Sequence, residues 1–204
     1  MQYEASAFYY VYDNRQAIRL DTSESIPRYV VSTSDLTAWG LDFSLRWQAT
    51  DRLGVDFATE WIDSTYKDFV TPDGHDLSGE PTGEAMWSFA AGAAYTMPLG
   101  EHGDLTFSLR HSYNGRGRCN SGSASQGNCG RYANFTIGEE RNRTDVYLRW
   151  LSPSTQWSVG AYVNNAFDNR YVNGLHTYGT TVIGTTGASI SEPRFYGMEL
   201  QYRF

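Results

Sequence analysis

A chain of 204 residues with a formal net charge of −7 and a mean hydropathy of −0.51 has room for one all-β domain or a large piece of a bigger one. The acidic balance excludes nucleic acid as a partner, because no basic stripe is present to neutralise phosphates. The hydropathy excludes a spanning helix, which needs an apolar run of about 18 residues or more, but not a spanning barrel, which shows lipid only alternate residues.

Eight strands are predicted in succession, at 3–12, 39–48, 53–62, 87–97, 104–113, 144–151, 157–164 and 195–204. Most have the length of about ten residues that crosses a bilayer when tilted, roughly double an ordinary globular strand. In each, one parity is apolar. The second strand offers Trp39, Leu41, Phe43, Leu45 and Trp47; the fourth Trp87, Phe89, Ala91, Ala93, Tyr95 and Met97; the last Tyr196, Met198, Leu200, Tyr202 and Phe204. Charged residues such as Asp42, Arg46, Asp56, Glu60, Arg110, Asp145, Glu199 and Arg203 keep to the opposite parity. Alternation with period 2 gives each strand two chemically different faces, and a charge held against lipid at the midplane costs roughly 2–4 kcal/mol. Aromatic residues of the apolar parity gather near strand ends, Trp39, Trp61 and Trp87 at one and Trp47, Trp150 and Trp157 at the other, as amphipathic rings do at two headgroup levels.

The connections alternate in length. Residues 49–52, 98–103 and 152–156 form short turns, whereas 13–38, 63–86, 114–143 and 165–194 are predicted to be long loops. All short turns therefore lie on one side, as in barrels with short periplasmic turns and long external loops. Pairing the second and third strands across their short turn sets Arg46 opposite Asp56 and Trp47 opposite Val55. The chain opens on Met1-Gln2-Tyr3-Glu4 and runs straight into a strand with no signal-peptide pattern, so the expectation is a fragment of a longer exported protein.

Within the loop at 114–143, Cys119 and Cys129 lie among Gly, Ser and Asn and are expected to form a small disulfide brace in an oxidising compartment. No His or acidic residue lies between them, so no metal site is expected. The same loop carries Arg116, Arg118 and Arg131 beside Arg141 and Arg143, whose planar donor forks suit an anionic ferric chelate or, as commonly on such surfaces, lipopolysaccharide phosphates. Tyr171, His176 and Tyr178 are further binding candidates in the last long loop. For catalysis the sequence offers no nucleophile elbow, His-Glu-x-x-His or phosphate-cradling glycine loop, so neither an enzyme nor a cofactor is expected.

Three local stretches carry a resemblance. Trp39-Gly40-Leu41-Asp42 opens a strand after a long connection, Asn165-Ala166-Phe167-Asp168-Asn169-Arg170-Tyr171 follows the penultimate strand, and Pro193-Arg194-Phe195-Tyr196-Gly197 leads into the last. In these the chain resembles the C-terminal part of a TonB-dependent outer-membrane receptor across essentially its whole length. The resemblance implies a 22-stranded antiparallel up-and-down transmembrane barrel filled by a plug, of which residues 1–204 are the C-terminal portion without plug or N-terminal strands. It implies uptake of a scarce nutrient such as a ferric siderophore, with energy delivered by TonB through the missing N-terminal region. It also implies a final strand whose Tyr202 and Phe204 are read by the barrel-assembly machinery, and a setting among outer-membrane lipid and lipopolysaccharide. Two other readings stay open: a self-contained eight-stranded outer-membrane barrel serving as adhesin, small channel or membrane enzyme, and a soluble carbohydrate-binding β-sandwich.

Overall fold

The structure, a computed structural model, describes residues 1–21, 26, 28–71, 74–125, 129–132, 134–176 and 184–204. In chain order its elements are β1 (Gln2–Asp21), β2 (Arg28–Thr50), β3 (Leu53–Asp68), β4 (Trp87–Pro98), β5 (Asp104–Asn114), a short α1 (Ser121–Ser125), β6 (Gly130–Tyr132), β7 (Phe135–Ile137), β8 (Arg141–Leu151), β9 (Trp157–Asn164), β10 (Val172–His176), β11 (Gly187–Ile190) and β12 (Phe195–Tyr202). Eight of these form one antiparallel sheet in the order β1-β2-β3-β4-β5-β8-β9-β12, and the other four form a small sheet ordered β11-β10-β7-β6. No helix is long and apolar enough to cross a membrane among the described residues.

The large sheet is a meander whose register follows from its turns. Thr50 Oγ1 accepts hydrogen bonds from the N–H groups of Arg52 (3.2 Å) and Leu53 (3.0 Å), which closes the β2–β3 turn and sets Arg46 opposite Asp56 and Trp47 opposite Val55, as expected from the sequence. The β4–β5 turn needs Gly103, at φ 88°, because a side chain there would strike the Leu151 carbonyl of β8. Ser152 Oγ accepts from the Trp157 N–H at 3.0 Å to close β8–β9.

Apolar residues of one parity point away from everything else in the chain. Leu41 is 53% exposed, Leu109 40% and Leu148 41%, although all three lie on strands paired on both sides. Among the described residues no second sheet packs over this face, which removes the support for a sandwich, whose core would cover it. At one end of the face Trp39 and Trp61 meet edge to face at 4.5 Å, with Trp61 opposite Trp87. At the other, Trp157 lies against Tyr202 (4.6 Å) and Tyr202 against Phe204 (5.1 Å), while the Trp150 indole donates to the His102 carbonyl at 2.7 Å in the β4–β5 turn. An apolar ring with a wet polar tip is what an interface between hydrocarbon and water selects.

The sheet is open. Among the described residues nothing pairs β1 with β12, so both are free edges and the chain does not close as an eight-stranded barrel.

Two sequence expectations are corrected. Residues 13–21 and 28–38 and the start of 63–86 are not loops: β1 and β2 stay paired from Gln2↔Arg46 to Asp21↔Arg28, and β3 continues to Asp68. At about 3.3 Å per residue, β2 is far longer than a hydrocarbon layer of about 30 Å. The added length carries no period-2 alternation of apolar residues, the pattern that marks the other strands in the sequence. One irregularity lies between Tyr12 and Arg15, where Asn14 takes φ 57° and its N–H donates to Asp35 Oδ1 at 2.7 Å. The last strand stops at Tyr202, although the Arg203 N–H still reaches the Gln156 carbonyl at 2.8 Å.

Candidate functional site

The polar face is covered at its long-connection end by the connections themselves. Residues after β3 fold back onto it: Phe69 (2% exposed) and Leu77 (fully buried) form a core with Leu36 and Tyr66, and Tyr10 of β1 packs against the group. The β5–β8 connection lies on top. Asn120 Nδ2 donates to the Pro81 carbonyl at 2.9 Å, and the Ser121 N–H and hydroxyl both donate to Glu80, at 2.6 and 2.7 Å. These hydrogen bonds, the backbone one foremost, hold the Glu80 carboxyl below the usual carboxylate range. Any side chain at Gly122 would sit 2.9 Å from a Leu77 methyl, so glycine permits the close approach. Cys119 and Cys129 are bonded to each other and close the segment. β7 then pairs in parallel with β10 through Val172↔Ile137, which joins the β9–β12 connection to the same cap.

The arginines singled out in the sequence do not converge. Arg118 is mostly buried, pairs with Asp63 at 2.5 Å and donates to the Ser64 carbonyl at 2.9 Å, which ties the cap to β3. Arg143 pairs with Asp145 (2.9 Å) and reaches Glu192 (3.4 Å), while Arg141 lies 5.2 Å over the Tyr171 ring. Arg116 and Arg131 are exposed. His176 ends β10, and Tyr178 lies outside the described residues.

The stretch from Asn165 to Tyr171 proves to be a structural knot. Asn165, buried and at φ 51°, donates through Nδ2 to the carbonyls of Asn169 (3.0 Å) and Glu192 (3.1 Å) and accepts from the Asn169 N–H (3.0 Å). Its own N–H donates to Asp145 Oδ1 at 2.9 Å. Asp168, at φ 53°, accepts from Arg170 Nε (2.9 Å) and from the Arg194 N–H (2.8 Å), so that the residues before β12 are pinned to those after β9. The same two contacts, the Arg170 one first, hold the Asp168 carboxyl below its usual range.

Between the cap and the sheet lies a pocket of about 490 Å³, lined among others by Glu60, Ser88 and Arg141 from the strands, Glu84 and Glu139 from the connections, and Asn173 of β10. Glu84 accepts hydrogen bonds from the hydroxyls of Thr82 and Ser64. Partial burial works to raise its pKa, but these bonds, its own backbone N–H and the charge of Arg15 bring it below the usual range, so the carboxylate stays ionised. Deeper along the polar face Glu60 stands directly opposite Asp42, to which the Ser6 hydroxyl donates at 3.3 Å. The next row of charges alternates in sign, Arg46, Asp56, Arg110 and Asp145, with Gly92 between the middle two. Asp56 leans over Gly92, so Asp42, Arg46, Asp56 and Glu60 stand opposite one another in register without forming a chain of ion pairs. Glu84 and Glu139 escaped the sequence reading because they lie in segments with no periodicity; only folding brings them to Glu60.

No family model matches the chain, and no curated protein matches it. Among solved structures it is similar to the ferric yersiniabactin uptake receptor FyuA from Yersinia pestis, with a TM-score of 0.69 at 16% identity over 99% of this chain and 27% of that one. The fold is that of a stretch of receptor barrel. A chain of the FpvAI–pyocin S2 complex gives a TM-score of 0.64 at 17% identity, over 98% of this chain and 24% of that one. This chain thus spans about a quarter of the length of the solved structures it matches. Transmembrane barrels carry an apolar outer side and a polar inner one, the same division of faces that this sheet shows.

Proposed function

We propose that this chain is part of the transmembrane wall of a TonB-dependent outer-membrane receptor, and that the whole protein takes up a scarce nutrient such as a ferric siderophore. The observation that carries this reading is the open eight-stranded sheet itself: apolar outward, charged inward, unpaired at both edges, and roofed on its polar face by folded long connections. Further strands of the same barrel would occupy the free edges, and a plug would face the charged rows. TonB would act through the plug-bearing part, and the barrel-assembly machinery would insert the strands. Lipid and lipopolysaccharide would surround the outer face. The role assigned to the chain is binding and passage, not catalysis. Fold likeness to an uptake receptor supports this proposal, and its test is genetic. Deleting the complete gene should abolish growth on the ferric complex that the protein imports under iron limitation, and loss of TonB should have the same effect. Unchanged uptake on every ferric complex offered would contradict the proposal.

A further inference from the structure

We infer that the pocket beneath the cap takes a compact ligand of net positive charge rather than an anionic chelate; this rests on the uptake reading and names its substrate class. Among the described residues that line the cavity three are glutamates, Glu60, Glu84 and Glu139, and one is a cation, Arg141, whose guanidinium is already set over the Tyr171 ring; Arg15 lies outside the lining, although its charge reaches Glu84. Glu84 is held ionised by its hydroxyl donors. The arginines that would welcome an anion are elsewhere: Arg118 is spent on Asp63, Arg143 on Asp145 and Glu192, and Arg116 and Arg131 do not line the cavity. Farther in, the path continues past Glu60 to Asp42 and Glu4 before any row of alternating sign is reached. Carboxylates in a cleft with low-dielectric walls focus a negative potential that attracts cations and repels anions.

A bare metal ion does not fit this pattern. Among the described residues no group of three or more ligating side chains stands close enough to hold one. The positive charge must therefore arrive on a ligand that brings its own coordination shell, such as a ferric trihydroxamate bearing a protonated amine. Its ammonium would pair with one of the glutamates Glu60, Glu84 and Glu139 in the field of the other two, and its amide and hydroxamate groups would meet Ser88 and Asn173.

The complete receptor, purified in detergent micelles, provides the test. Calorimetric titration with ferrioxamine B, a cationic ferric trihydroxamate, is compared with titration by a ferric tricatecholate, which is anionic. The cationic complex is expected to bind the more tightly, with an affinity that falls as salt is added. The Glu84→Gln and Glu139→Gln exchanges together should weaken it about tenfold or more while improving binding of the anionic complex. Glu139 is exposed, so Glu139→Gln alone removes charge without disturbing the hydrogen bonds at Glu84 and should give part of the same loss. Tighter binding of the tricatecholate, no binding of either complex, or affinities indifferent to both exchanges would overturn the inference. Import of an anionic ferric complex in the genetic experiment would leave the uptake proposal standing and remove only this assignment of charge.

Discussion

The sheet and its cap direct their apolar residues in opposite ways. In the sheet, Leu41, Leu109 and Leu148 point outward and are left open by the described residues, while charges fill the other face. In the cap, Leu77 and Phe69 point inward and are almost wholly buried, with polar groups around them. In the proposed receptor one chain would meet two solvents: hydrocarbon would complete the sheet, whereas the cap makes its own core and staples it. Perturbations should accordingly affect one region and spare the other.

Leu77→Ala should have the largest effect. Truncating a fully buried leucine costs about 2–5 kcal/mol, and here the loss falls on a core of only a few side chains. Hydrogen exchange in the complete protein should show fast exchange over residues 69–86 and 115–138 with the strand ladder still protected; simultaneous loss in both would show that cap and wall are a single cooperative unit. Leu109→Arg addresses the other half. A cation on the lipid face near the midplane should destabilise the barrel in vesicles by about 2–4 kcal/mol, measured by urea titration, and leave the cap's exchange unchanged. Replacing both Cys119 and Cys129 by serine removes a short loop closure worth about 2–3 kcal/mol. Limited proteolysis should then cut between the two serines and nowhere in the wall. The smallest effect is expected from acid. Glu80 and Asp168 both have folded-state pKa values depressed below their unfolded ones. Their contributions are complete above the unfolded pKa of about 4 and are lost as the pH falls through the lower folded values. Cap amides near Ser121 and Arg194 should exchange faster only in that acid window, and an onset near neutral pH would point to other groups.

The same division of solvents explains how much could be read from the sequence. Where lipid touches the chain, every second residue must be apolar, and the strands at 87–97, 104–113 and 157–164 were legible almost to their ends. The Arg46↔Asp56 register was legible because a short turn left no other. Above the bilayer that constraint lapses. The paired extension of Arg15–Asp21 with 28–34 reads as loop because its residues do not alternate between apolar and polar. The cap was legible only at its disulfide. Its other ties join residues far apart in the chain, such as Arg118 to Asp63 and Ser121 to Glu80, and no local spacing announces them. Arg118 illustrates the limit: as a sequence feature it is one of several loop cations, and only the fold shows that its charge is already taken.

Nitroxide labels placed singly at Leu45, Leu109 and Leu148 in the complete protein, reconstituted into vesicles, test most directly that lipid is the missing half of this core. The account predicts relaxation enhanced strongly by dissolved oxygen and weakly by an aqueous nickel chelate at all three positions, with the reverse order at Arg110 one residue away. Labels at the leucines that respond to the chelate rather than to oxygen would contradict it.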